Sequence, residues 1–185
     1  MMTLARTFLG LLWICVPLAS HAERIEFRQV ALTLSEDDYI LLDAEIDYDL
    51  TETVMEALEN GVSLTFETHV QLRRARAWIW EQDIIEHRLR TVLRYRPLSG
   101  LYELRNLDQA EPQAFATRDS ALRALGRIVA MPIIIRTELD LEQEYLVRLQ
   151  VSLDIEALPL PMRPMAYLRR DWSISSEPWE WQLKP

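Results

Sequence analysis

The sequence predicts a mainly β protein, an antiparallel two-sheet sandwich of about eight strands with two short helices. Three observations support this fold class. Several segments alternate apolar and polar residues with period two, the spacing of a strand with one wet face. Turn-forming residues stand between those segments, and two stretches change to helical spacing.

The predicted strands follow one another along most of the chain. The first covers 25–34, and its apolar parity changes near Gln29, which indicates a β-bulge. The clearest alternation occurs in four segments, namely 39–50, 62–73, 87–96 and 145–153. Pro97 to Gly100 supplies turn chemistry, so a hairpin is expected between the third of these segments and a further strand at 101–104.

Tryptophans at i, i+2 spacing mark two further strand segments. Trp78 and Trp80 form one pair, and Trp179 and Trp181 form another in a last strand that begins after Pro178. Each pair points to one side of its strand. Two interpretations are open: an aromatic part of the core between the sheets, or an exposed platform for a partner, a glycan or a lipid.

Two short helices interrupt the strands. Thr51 is a suitable N-cap for a helix that ends at Asn60-Gly61. Thr117 is a suitable N-cap for a second helix, whose inward face is predicted to contain Ala121, Leu122, Leu125 and Ile128. The proline-rich segment 158–164 is predicted to be an extended crossover, because proline is tolerated neither in a helix interior nor in a central strand.

The first 22 residues have the form of an export signal. A short region with Arg6 precedes an apolar run over 7–19, and small residues at Ser20 and Ala22 fit a cleavage site after Ala22. The run is shorter than the ~20 residues of a spanning helix. We expect cleavage and a single domain over 23–185 in the periplasm of a Gram-negative bacterium. An uncleaved inner-membrane anchor over 7–19 is the alternative.

The charge of the chain limits its partners. Asp and Glu total 29 and Lys and Arg total 20, which gives a formal net charge of −9. A nucleic-acid binder needs a basic stripe to neutralise phosphates, so no nucleic-acid partner is predicted. An anionic membrane surface is disfavoured for the same reason. A protein partner in the bacterial envelope is expected instead.

Charged stripes on two predicted strands suggest where such a partner binds. Asp43, Glu45, Asp47 and Asp49 share one strand face, and Arg88, Arg90 and Arg94 share another. If these strands are neighbours the stripes neutralise each other, and if they are apart each is a candidate surface. We select Arg88, Arg90 and Arg94 as the candidate partner surface, with Arg170, Asp171 and Trp172 as a second one.

The sequence contains no recognisable catalytic or metal-binding motif. The nucleophile patterns G-x-S-x-G and S-x-x-K are absent, and so are H-E-x-x-H and a glycine-rich phosphate loop. Past the signal, the only histidines are His69 and His87. No catalytic residue, cofactor or metal site is therefore predicted.

Several segments together resemble the domain-of-unknown-function family 4390, a group of exported bacterial proteins. The matching segments cover nearly the whole predicted mature chain and are residues 42–50, 56–62, 94–98, 115–117, 121–127 and 170–176. The resemblance implies an envelope protein and no established activity. Members are often encoded beside a membrane sensor kinase of the nitrogen-regulation type, which implies a periplasmic accessory role.

The leading hypothesis is a non-enzymatic binding or accessory module that acts through protein contacts. One alternative is a carrier of a small hydrophobic or lipid-like ligand between the sheets, with the tryptophan pairs, Met162 and Met165 around it. A third is an envelope hydrolase, which requires His69 or His87 within hydrogen-bond reach of a serine or a carboxylate in a cleft.

Overall fold

A computed structural model describes residues 25–75, 84–107 and 111–184. These residues form nine strands and three α-helices. The strands are β1 (Ile25–Leu34), β2 (Tyr39–Tyr48), β3 (Leu64–Arg74), β4 (Ile85–Arg96), β5 (Leu101–Asn106), β6 (Gln113–Phe115), β7 (Arg127–Ile135), β8 (Tyr145–Leu153) and β9 (Trp179–Leu183). The helices are α1 (Glu52–Glu59), α2 (Arg118–Leu125) and α3 (Arg163–Leu168).

The strands form two antiparallel sheets, which confirms the predicted fold class. One sheet has the order β1-β2-β7 and the other has the order β6-β5-β4-β3-β8-β9. The predicted bulge is confirmed, because the β1–β2 register shifts between Phe27 and Gln29. The predicted hairpin is confirmed as well, since β4 and β5 pair across the turn at 97–100.

The core lies between the sheets and is built from one face of each strand. Leu42 and Ile46 of β2 are buried, as are Phe66 and Val70 of β3. Polar neighbours such as Asp43, Asp47, Glu67 and Gln71 alternate with them and point to the other face, as period-two alternation requires. Among the described residues, no helix is long and apolar enough to cross a bilayer.

The two predicted helices begin at their predicted caps. The Thr51 hydroxyl accepts a hydrogen bond from the Val54 amide at 3.1 Å, and the Thr117 hydroxyl accepts one from the Ser120 amide at 3.3 Å. The prediction that Ile128 belongs to the second helix is wrong. The chain leaves the helix at Gly126, whose carbonyl accepts from the Ile46 amide at 2.9 Å, so residues 127–135 pair with β2 as β7.

A third helix corrects the prediction of an extended crossover over 158–164. The chain makes turns after Leu158, and α3 starts at Arg163. Pro164 lies in the first turn of this helix, where its missing N–H has no intrahelical partner to lose.

Candidate functional site

Large apolar side chains in α3 and just before it are exposed. Leu160, Met165, Tyr167 and Leu168 are 73%, 59%, 61% and 87% exposed, and we call these four residues the α3 patch. The Tyr167 hydroxyl donates to Glu156 at 3.3 Å, and partial desolvation, followed by that carboxylate, raises the pKa of the phenol. Exposed apolar clusters of this kind mark interaction surfaces.

The second predicted partner surface follows α3, and its three residues have different environments. Arg170 is exposed and forms no ion pair with a described residue. Asp171 is half-buried and accepts hydrogen bonds from Thr51 at its carbonyl (3.0 Å) and Thr53 at its carboxylate (3.3 Å). Trp172 is only 3% exposed and belongs to the core, so it is unavailable to a partner. Packing of Trp172 and the bonds of Asp171 fix the position of Arg170.

The predicted arginine surface lies on the outer face of the six-stranded sheet. Arg88 contacts Glu86 at 2.6 Å and Glu67 at 3.2 Å, and Arg90 contacts Glu67 at 2.9 Å. These carboxylates raise the pKa values of both guanidinium groups. Arg94 is exposed and has no ion pair among the described residues. Arg88 and Arg90 are therefore neutralised within the sheet, whereas the charge of Arg94 is available.

Glu86 makes this ion-pair network sensitive to acid. Its hydrogen bond with Arg88, and a smaller contribution from His69 at 2.9 Å, lower the pKa of its carboxyl from the ordinary 4.5. A lowered pKa in the folded state adds stability above pH 4.5, and this stability is lost as the pH falls through the folded value.

We expect Glu86→Gln to weaken the pH dependence of the urea midpoint below pH 5. Glu36→Gln, at an exposed carboxyl that forms no ion pair with a residue of the described ranges, is the control. Identical profiles for both variants would contradict the prediction.

The acidic stripe and the arginine stripe do not pair with each other. β2, which carries Asp43, Glu45 and Asp47, belongs to the three-stranded sheet, and β4 belongs to the six-stranded sheet. Asp43 accepts from the Ala130 amide at 2.9 Å, and Asp47 pairs with Arg28. Of the two cases that the sequence left open, the strands are therefore apart, and each stripe faces its own surroundings.

A cleft of about 1790 Å³ separates the two sheets at one end. Its wall includes the end of β2, the inner face of β4 and β5, the second half of α2 and the first part of β7. Six carboxylates and three arginines line it, for a formal net charge of −3. Tyr48 also lines it, and burial raises the pKa of that phenol, so its hydroxyl stays protonated.

The residues predicted to surround a ligand between the sheets lie elsewhere. Met162, Met165, Trp179 and Trp181 are not among the residues that line the cleft. Trp179 is half-buried against the core, and Trp181 is 52% exposed and stacks on it with ring centroids 5.7 Å apart. Trp179 therefore fits the core interpretation, Trp181 is exposed, and a platform role for this pair stays a prediction. The other pair, Trp78 and Trp80, lies outside the described residues.

The two histidines occupy opposite faces of the six-stranded sheet. His69 contacts Glu86 on the outer face, and neither residue lines the cleft. His87 Nε2 donates to the Ile133 carbonyl at 3.3 Å, where β4 meets β7. The hydrolase hypothesis requires a histidine beside a serine or a carboxylate in a cleft. His69 meets its carboxylate outside the cleft, and His87 contacts a backbone carbonyl. Within the described ranges, no group of three potential metal ligands occurs.

Comparison with known proteins identifies the family of this chain. The model of the family described as "Domain of unknown function (DUF4390)" matches residues 22–182. The chain belongs to the DUF4390 family. No curated protein and no solved structure gives a significant match.

Membership in the DUF4390 family confirms the resemblance found in the sequence, and it assigns no activity. The matched range includes both sheets, the cleft, the α3 patch and the arginine surface. All of these surfaces therefore lie in the part of the chain that defines the family. Ala22, the predicted cleavage position, is the first residue of the match and lies outside the described residues.

Proposed function

We propose that this DUF4390 protein is an exported, non-enzymatic accessory module of the bacterial envelope that binds another protein through the α3 patch. The observation that carries the proposal is the exposure of four large apolar side chains within nine residues. Burial of such side chains at an interface is worth about 1.5–3 kcal/mol each when complete. Water is therefore an unfavourable environment for this surface, and a partner that covers it gains affinity.

The composition of the surface favours a protein partner over a lipid surface. Met, Tyr and Arg are enriched in the centres of protein interfaces, and here Met165 and Tyr167 lie near exposed Arg170. Glu156 contacts Tyr167, and a carboxylate in this position disfavours burial in the headgroup region of an anionic bilayer. The expected partner offers an apolar pocket bordered by carboxylates that face Arg170.

The predicted export signal and the family resemblance suggest where this partner is found. Cleavage after Ala22 would release the domain into the periplasm. The kinase genes beside family members make the periplasmic domain of a membrane sensor kinase the first candidate. Arg94 offers a second cation for the same partner or for another one, and the outer-face arginine surface remains a prediction.

Mild crosslinking in intact cells tests the proposal directly. The tagged protein is recovered, and mass spectrometry identifies its partners and its own N-terminus. We expect a chain that begins at Glu23 and an enriched envelope protein. Changing Met165 and Leu168 to serine should reduce that enrichment about tenfold, as expected when hot-spot side chains are removed.

Matched variants separate the two candidate surfaces. Leu98→Ser removes a leucine that is even more exposed, at 106%, from the β4–β5 turn and should leave the partner bound. The triple alanine variant of Arg88, Arg90 and Arg94 tests the arginine surface. Loss of the partner in this variant alone would move the interface to the outer face of the sheet. A protein that is recovered alone would contradict the accessory role.

A further inference from the structure

We propose that the cleft between the sheets is a second binding site, which accepts a basic amphipathic helix from a partner protein. This site lies apart from the α3 patch and does not depend on the function proposed for that patch. Three properties of the cleft support the proposal: an apolar floor, an acidic border and an irregular edge strand, β7, that disfavours strand addition.

The floor of the cleft is an uncovered part of the core. Leu93 of β4 is buried, but Leu89, on the same face of that strand, is half-exposed where the sheets separate. Phe115, Leu122 and Ile128 are also half-buried and line the cleft. The apolar stripe of a helix would complete the burial of these side chains.

The border of the cleft favours a cationic occupant. The lining has six carboxylates against three arginines, and one of these arginines, Arg28, is already paired with Asp47. Glu45 and Asp49 form no ion pair with a described residue. Lysines or arginines on the polar side of a helix would meet these two carboxylates. Charge complementarity of this kind raises the association rate and selects among partners.

The geometry favours a helix over the other common modes of occupancy. β7 is an edge strand, but Pro132 removes a donor, Ala130 has a φ of 48°, and the register with β2 shifts twice. These are the features that prevent a further strand from pairing at an edge. Pockets for small molecules measure about 300–1,000 Å³. The cleft, at about 1790 Å³, exceeds this range, as expected for a site that takes a macromolecular segment.

A peptide probe tests this proposal on the mature chain. The probe is a labelled peptide of leucine and lysine, about 18 residues long, with leucines at helical spacing. Fluorescence anisotropy measures its binding. The double variant Glu45→Gln, Asp49→Asn should weaken binding at least about threefold, as expected for two surface charge contacts. Val129→Ser, which shortens an exposed apolar side chain at the cleft, should weaken it as well.

Three controls decide the outcome. The double variant Glu36→Gln, Asp37→Asn removes two exposed carboxylates from the β1–β2 turn and should leave binding unchanged. A scrambled peptide that binds equally well would show plain charge attraction and overturn the proposal. Tighter binding of a peptide with alternating leucine and lysine would overturn it in favour of strand addition. Because the cleft variants leave the α3 patch intact, a cleft that fails this test does not affect partner capture through the patch.

Discussion

Replacement of Gly126 by alanine is expected to destabilise the fold by about 3 kcal/mol, the upper part of the usual range for forced overpacking. A Cβ at this position would lie 1.9 Å from the Ile46 carbonyl oxygen. The obstructing atom belongs to the backbone of β2, and the Ile46 amide is bonded to the Gly126 carbonyl at 2.9 Å. The clash is therefore relieved only if α2 and β7 move away from β2.

Urea denaturation of Gly126→Ala and Gly100→Ala measures this effect against a matched control. Gly100 has a φ of 68° and nothing within 4 Å of an added Cβ. Alanine there meets only the backbone cost of a left-handed conformation, about 1–2 kcal/mol. Equal midpoints for the two variants would mean that the close approach of Gly126 to β2 does not limit the packing.

Local patterns predicted the elements whose two faces differ most. β2, β3, β4 and β8 alternate along their length, and each has one buried and one wet face. The bulge near Gln29 was predictable because one additional residue reverses the parity of every later side chain. The helix caps at Thr51 and Thr117 were predictable because a cap is a contact between residues three apart.

Properties set by distant contacts were not predictable. Ile128 lies three residues after Leu125 and continues the helical spacing, yet pairing with β2 ends the helix at Leu125. In the same way, the two charge stripes look complementary, and only the strand order places them in different sheets. The pairing of strands depends on residues far apart in the chain, which no local pattern encodes.

The same distinction between local patterns and distant contacts applies to the candidate sites. Arg170, Asp171 and Trp172 are predicted together as a second partner surface, but only Arg170 is exposed. The α3 patch was missed because Leu160 and Met165 lie among prolines, and apolar residues in such a segment look like a crossover that packs on the core. The signal available in the sequence was the polar run Arg169 to Asp171 directly after Tyr167 and Leu168, which marks an exposed segment.

Replacement of Trp172 by alanine is expected to cost about 4 kcal/mol, the range found for large aromatic residues in a core. Trp172 is 3% exposed, and the Asp171 carbonyl and carboxylate beside it accept hydrogen bonds from Thr51 and Thr53 at the start of α1. Loss of the indole leaves a cavity where the segment after α3 packs. We expect a lower urea midpoint for Trp172→Ala.

Trp181→Ala is the matched control, because that indole is 52% exposed and stacks only on the edge of the sheet with Trp179. Its removal should cost about 1 kcal/mol, the value of an aromatic pair. A Trp172 variant as stable as the Trp181 variant would contradict the core assignment.

Trp172 also matters for the proposed function, because it packs beneath the segment that carries the exposed Arg170. A folded Trp172→Phe variant that retains the proposed partner would show that Trp172 acts through packing, in contrast to Leu168, which we propose contacts the partner directly.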